Sequence, residues 1–275
     1  MPHPTSGRTA FIAAASAGSP PVLWNWAISG VCVGLLVALV VFAPARWLAQ
    51  WVHSASGQRL NFVAPRGTVW QGSAQLMVAG SEGSRDAAML PGLTTWRILP
   101  GWGGVSVHFK ADCCAQKALQ LFVAPVGWGG VKVSISDGQT QWPAALLTGL
   151  GTPWNTLRPE GQLLVITQGL RVEWVDGTQN LYGRLQLDAN EISSSLSTLQ
   201  PIGSYRLALQ GGARPTLKLD TLEGSLQLTG EGQWINQRLQ FNGVASALPD
   251  RMDALSNLLN IIGRRDGARA IIKLG

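Results

Sequence analysis

The chain has 275 residues and a formal net charge of +6, and only 13% of its residues are charged, against roughly 25% in typical soluble domains. A 46% apolar content excludes a disordered chain, and 33 glycines without a three-residue period exclude a collagen-like one. The basic residues are scattered, which does not predict a nucleic-acid surface, and a single long apolar run argues against several membrane crossings.

That apolar run covers residues 22–43. At about 1.5 Å per residue, a helix of this length spans the roughly 30 Å hydrocarbon core of a bilayer. Tryptophans, which favour the membrane interface, flank the run at Trp24, Trp26, Trp47 and Trp51. The run therefore predicts an uncleaved, single-pass transmembrane helix. The short tail before it favours a cytoplasmic segment 1–21, with residues 44–275 outside the cytoplasm, although the basic residues on the two sides are nearly balanced.

After residue 44 the dominant hydrophobic period is two, which is typical of strands that bury one face. The clearest apolar positions are Val105, Val107, Phe109, Val131, Val133 and Ile135, and we take these six as the candidate lining of an apolar face that binds lipid or a partner. Similar alternation continues to residue 241, with glycine-containing breaks between segments. The pattern predicts an antiparallel sheet with one solvated face.

Two features interrupt this pattern. The sequence Trp-Gly-Gly-Val-x-Val occurs at residues 102–107 and again at residues 128–133, and we interpret the copies as repeated strand starts, with their tryptophans at sheet edges or core corners. Residues 141–158 are predicted to hold a short helix and a candidate boundary between two groups of strands.

One segment beyond the apolar run predicts an amphipathic helix. Met252, Leu255, Leu259 and Ile262 form one apolar stripe at helical spacing, and Asp250 and Asp253 suit the positive helix start by capping or by matching its dipole. A last strand follows at residues 270–274. One helix cannot cover about ten one-sided strands, so the sheet is curved or sandwiched, or a protein partner or lipid covers its face.

No catalytic constellation is present in the sequence, which has neither a phosphate-binding loop nor a nucleophile elbow. The chain is therefore expected to be non-enzymatic, without a cofactor, a metal, a nucleic-acid partner or a small-molecule substrate. His108 is interpreted as a solvated strand residue. Cys113 and Cys114 are adjacent, so they are either two free thiols or a disulfide closed in an oxidising compartment; a redox role is the minor alternative.

Several short motifs resemble the type II secretion system protein N family. The most distinctive is the strand Gly67-Thr68-Val69-Trp70-Gln71-Gly72, shortly after the apolar run. Further matching stretches follow in the family's order, at residues 94–100, 230–234, 241–245 and 255–267. The adjacent cysteines depart from the family pattern.

The resemblance implies a protein anchored in the inner membrane of a Gram-negative envelope, with its β domain in the periplasm. Such a protein would act with other type II secretion proteins in export across the outer membrane, through contacts of loops or unpaired sheet edges. The sheet is also similar to AsmA-like β proteins, which leaves a lipid-binding or lipid-handling module as the alternative.

Overall fold

The structure is a computed structural model that describes residues 24–80, 86–115, 117–235 and 238–275, without the side chain of residue 25. The predicted tail 1–21 and the first two residues of the predicted membrane helix lie outside the described residues. The chain divides into two compact units, Met1–Val41 and Phe42–Gly275.

The described part of the first unit is one helix, α1, Trp24–Val41. Its described side chains are exposed on every side of the helix and, Ser29 apart, are apolar or absent. The helix ends before residue 43, the predicted end, because the residue preceding a proline is disfavoured in helical conformation, and Pro44 follows. No helix in the described residues combines the length and the apolar character that a membrane crossing requires.

The second unit begins with a helix that the sequence analysis did not predict, α2, Ala45–Ala55. Pro44 has an extended conformation and supplies the start. Ala45 is buried and Leu48 packs beside it, whereas Trp47 and Trp51 remain on the exposed side. The helical spacing of Ala45, Leu48 and Val52 was the available signal, but it follows directly on the apolar run and reads as its continuation.

In the described part of this unit, a single sheet of sixteen strands makes up most of the structure, and every pairing between these strands is antiparallel. The first eight strands are β1 Leu60–Gly67, β2 Gln71–Ala79, β3 Ala87–Met89, β4 Thr94–Gly101, β5 Gly104–Ala111, β6 Leu119–Val126, β7 Gly130–Ile135 and β8 Gly138–Pro143. The remaining eight are β9 Pro159–Val175, β10 Thr178–Ser194, β11 Gly203–Gln210, β12 Thr216–Gly224, β13 Leu226–Ile235, β14 Arg238–Ala247, β15 Arg264–Asp266 and β16 Arg269–Leu274.

Strands that follow each other in the chain are mostly neighbours in the sheet, whose order runs β1-β2-β4-β5-β6-β7-β9-β10-β11-β12-β13-β14-β16-β15. The long strand β9 joins the two halves. Its first part pairs with β8, its last part pairs with β7, and β10 pairs along its other edge. The segment between β8 and β9 holds the 3₁₀ helix Ala144–Leu150 and a one-turn helix, α3, Trp154–Leu157, where a short helix was predicted.

The first half of the sheet is curved. In a flat sheet β2 would lie four strand spacings, roughly 19 Å, from the line of β7 and β8. Yet Gly149, six residues after the end of β8, packs against the backbone of Val78 in β2 and Ala88 in β3. Trp142 of β8 and Leu146 likewise reach a buried cluster formed by Leu90, Ala111 and Cys114.

The predicted C-terminal helix is found as α4, Met252–Ile262. Leu255, Leu258 and Leu259 are buried against β11, β13, β14 and β16. Asp253 lies in the first turn, where it complements the helix dipole, but no side chain caps the helix start. The prediction of a mainly β, antiparallel protein with a C-terminal helix is confirmed. Within the described residues the strands form one open, curved sheet rather than a sandwich of two.

Candidate functional site

The family-like motif forms the tight turn between β1 and β2. Gly67 has φ +90°, which favours glycine, and begins the turn. The backbone N–H of Thr68 donates to the carbonyl of Gln71 (2.8 Å), and the N–H of Gln71 donates to the Thr68 hydroxyl (3.1 Å). These two bonds close the turn, while the Val69 N–H donates to the Ala43 carbonyl and the Trp70 carbonyl accepts from the Ile98 N–H.

A tryptophan from the second matching stretch packs into this turn. Trp96 of β4 is only 4% exposed, stacks on Phe62 with 5.3 Å between ring centroids, and donates its Nε1–H to the Val69 carbonyl at 3.0 Å. Gly72 lies directly under the indole ring: a Cβ there would stand 2.9 Å from Cε2 of Trp96. The motif glycine is therefore required by the close approach of an indole ring from a strand 24 residues further along the chain.

The same turn fixes the beginning of the second unit. The N–H of Val69 donates to the Ala43 carbonyl at 2.8 Å, and Thr68 forms an isolated β-bridge with Pro44. Ala45, at the start of α2, is buried against Trp96 and Ala74. These contacts hold residues 43–45 against the turn between β1 and β2 and against β4.

The six predicted lining residues lie on one face of the sheet. Val105, Val107 and Phe109 pair directly with alternate residues of β6, and alternate residues on the same face of β6 pair with Val131, Val133 and Ile135 of β7. Paired residues share a face, so the two groups are brought together through β6. Their β6 neighbours were missed because Phe122 and Pro125 disturb the period of two; these neighbours are Leu119, Leu121, Val123 and Pro125.

Most of this face is only half covered. Val131 is 41% exposed and the other five side chains are partly buried, with Phe109 packed against the cluster around Leu90. Whether the six residues bind anything stays a prediction.

The second half of the sheet holds an apolar cavity that sequence reasoning missed. Its volume is about 350 Å³, and leucines of β9 to β13 line it together with α3 and α4. Tyr205 lies at its wall; burial raises the pKa of its phenol, and the hydroxyl donates to the Leu226 carbonyl at 3.1 Å. The lining includes two serines and no charged side chain, which suits apolar groups and offers no handle for catalysis.

The charged and sulfur-containing groups do not assemble a reactive centre. Within the described residues no three His, Cys, Asp or Glu side chains are placed to hold a metal ion. His108 lies in β5, opposite Arg97 and Gln120. Cys113 and Cys114 are joined by a disulfide, which is one of the two states considered from the sequence, the other being two free thiols. Cys32 is free and exposed.

One ion pair on the polar face of the sheet is well formed. Asp188 of β10 lies opposite Arg206 of β11, with Nε–Oδ1 at 2.7 Å and Nη2–Oδ2 at 2.8 Å. The hydrogen bonds from Arg206, with a further one from Gln186, lower the pKa of the Asp188 carboxyl, against the opposing effect of burial. The two-point geometry fixes the register of β10 and β11, a structural role.

The fold and the site together define a class of protein with a curved antiparallel sheet whose first turn is packed on a buried tryptophan. The sequence profile of the family described as type II secretion system (T2SS), protein N, matches residues 58–272, and the chain belongs to this family. The resemblance seen in the sequence is thereby confirmed. No curated protein and no solved structure gives a significant match.

Proposed function

We propose that this chain is a non-enzymatic component of the type II secretion system, attached to the inner membrane through α1, with its second unit in the periplasm. The observation that carries the proposal is the family match over residues 58–272, which implies a secretion component. It acts by contacts with other secretion proteins during export across the outer membrane.

Membrane attachment is supported by the character of α1. The described side chains of this apolar helix are exposed on every side, and a lipid environment would cover them. The periplasmic assignment is supported by the disulfide between Cys113 and Cys114, since such bonds persist in oxidising compartments and are rare in the cytoplasm.

Contacts through faces and loops are favoured over pairing at the sheet edges. At one edge, β1 carries Pro65 and an irregularity beside Ala64, which has φ +50°. At the other edge, β15 is three residues long, charged and exposed. Both features are those with which proteins block strand addition, so they argue against the edge-pairing mechanism considered from the sequence.

Gene deletion followed by complementation tests the secretion role. Loss of the chain is expected to reduce the exoproteins in the culture medium and to retain them in the periplasm, and the wild-type chain is expected to restore export. Crosslinking in intact cells, followed by detergent extraction and pull-down of the chain, should recover other secretion proteins. Normal export in the deletion strain, with no secretion protein recovered, would refute the proposal.

A lipid-handling role is a second candidate because of one observation, the apolar cavity of about 350 Å³. Its size is at the lower end of ligand sites and its lining suits an acyl chain. Native mass spectrometry of the full chain released from detergent decides between the two. A bound lipid retained by the wild type and lost in Leu207→Phe, which fills the cavity, would favour it; a lipid-free chain would exclude it.

A further inference from the structure

Two tryptophans stand out at one end of the sheet. Trp102 occupies the turn between β4 and β5, and Trp128 the turn between β6 and β7; their relative exposures are 107% and 104%. Trp102 precedes Gly103, which has φ +90°, so the turn has the type II pattern, and Gly129 after Trp128 has the same φ. These are turn tips, not the edges or core corners predicted from the sequence.

The composition of these two turns is unusual for turns that are exposed to solvent. Hairpin turns normally carry Asn, Asp or Ser beside Gly. Here residues 99–106 and 123–131 contain no charged side chain, and each stretch has a proline, a tryptophan and exposed aliphatic residues around it. Leu99 is 48% exposed and Phe122 40%. Placing such tips against an apolar surface requires no charge to be desolvated.

The tips lie at the end of the sheet where the second unit begins. The two hairpins are two strands apart, about 10 Å, along the order β4-β5-β6-β7. The turn between β1 and β2 lies at the same end, since the Ile98 N–H donates to the Trp70 carbonyl (2.6 Å) near the end of β4. Val69 of that turn holds Ala43, two residues after α1 ends.

We infer that Trp102 and Trp128 insert into the membrane interface and hold this end of the sheet against the lipid surface. An indole ring combines an apolar body with one N–H donor, which suits the boundary between acyl chains and headgroups. The inference rests on the proposed attachment through α1, because the chain linked to that helix emerges at the same sheet end. A protein partner would be expected to offer a pocket for each ring, and the full exposure of both rings favours lipid.

The test uses the full chain in vesicles of phosphatidylethanolamine and phosphatidylglycerol. Single cysteines replace Trp102, Trp128 or, as the control, Thr156, in a Cys32→Ser background, and each is labelled with an environment-sensitive fluorophore. Thr156 is exposed in α3, next to the start of β9 and thus at the opposite end of that strand from its turn at residues 176–177. Cys113 and Cys114 are bonded to each other and do not label.

Emission from positions 102 and 128 is expected to fall in vesicles with acyl-brominated lipid and to resist aqueous iodide, with the reverse at position 156. Iodide quenching at all three positions would overturn the inference, and so would shielding from both quenchers at 102 and 128, which would mean cover by protein. Failure of the chain to float with the vesicles would instead refute attachment through α1. The double variant Trp102→Ala/Trp128→Ala should keep the wild-type melting temperature, because neither ring is packed against the protein. Substitution at these two positions is therefore not expected to unfold the chain.

Discussion

Gly72 shows how one missing side chain positions a distant strand. Its Cα faces the ring of Trp96, and an added Cβ would also stand 2.5 Å from the Arg66 carbonyl oxygen. The Trp96 ring cannot easily move away, because it is held by the hydrogen bond from its Nε1–H and by stacking on Phe62. The Arg66 oxygen belongs to the backbone of β1. Relief would therefore require the turn itself to move.

Gly72→Ala is expected to lower the free energy of unfolding by about 1–3 kcal/mol, the usual range for overpacking. Urea unfolding followed by tryptophan fluorescence measures the loss. The matched control is Gly138→Ala in β8, where a Cβ meets no atom within 4 Å and the change should stay within about 0.5 kcal/mol. Equal stability of the two variants would contradict the packing of Trp96 on Gly72.

The Asp188–Arg206 pair makes stability depend on pH in a definite direction. The pKa of the folded Asp188 carboxyl is lowered from its ordinary value of 3.8, chiefly by the hydrogen bonds from Arg206. A carboxyl with a lowered pKa stabilises the folded state above its unfolded pKa, and that contribution disappears as the pH falls through the folded value. The loss is therefore expected below pH 3.8.

A double-mutant cycle of Asp188→Asn and Arg206→Gln isolates this contribution. Because the Arg206 side chain is 41% exposed, the coupling free energy at neutral pH is expected to be only about 1 kcal/mol after solvent screening. Repeating the cycle in acid, by urea unfolding, should show the coupling decrease progressively as the pH falls below 3.8. A coupling that is the same in acid and at neutral pH would mean that the carboxylate is not its source.

Among the elements, α4 packs its apolar stripe on the sheet as the sequence predicts, but it covers only a limited area of the sheet. Its leucine stripe covers the sheet around Tyr205, Leu226 and Ala245. The cavity next to it remains open to further apolar groups, as expected for one helix on a wide face.

Leu259→Ala in α4 is expected to cost about 2–5 kcal/mol, since the side chain is fully buried and the helix cannot collapse into the space. Ile261→Ala, two residues away and 38% exposed, is the control and should cost less than about 1 kcal/mol. Thermal unfolding followed by circular dichroism compares the two. Similar losses would imply that α4 is not docked on the sheet.

The strands were predictable where one face is buried, and less so elsewhere. Period-two alternation placed β5, β7 and β11 to β14 correctly, because each has a clear apolar side. It identified only part of β9 and part of β10, since bulges near Gly169 and Gly183 interrupt the alternation in these 17-residue strands. It also missed β6, where a proline and a phenylalanine break the pattern.

At the scale of the whole molecule, residues 67–72 are interpreted from the sequence as a strand, and the structure places the middle of this motif in the turn between β1 and β2. Nothing local connects the motif to Trp96 or Ala43, which hold the turn in place. The cavity could not be predicted either, because it needs strands β9 to β13 and two helices in their final positions. The candidate site is formed by contacts between segments that are distant in sequence. Hydrophobic periodicity predicts only the secondary structure of the segment in which it occurs, so it cannot predict these contacts.

The proposed periplasmic location of the second unit can be tested through the oxidation state of its cysteines. The chain has three cysteines, of which Cys32 is free and Cys113 and Cys114 are bonded. In a periplasmic unit this bond persists, whereas cytoplasmic reductants would keep both thiols free. The number of cysteines that can be alkylated before reduction therefore indicates the compartment of the second unit, independently of any secretion phenotype.

Cells are lysed in an alkylating agent, and the full chain is purified under denaturing conditions and analysed by mass spectrometry. We expect one alkylated cysteine, Cys32, without reduction and three after reduction. Cys113→Ser/Cys114→Ser, the control, should give one under both conditions. Three alkylated cysteines in the unreduced wild type would place the second unit in a reducing compartment, and the proposed orientation, together with every periplasmic contact that depends on it, would have to be abandoned.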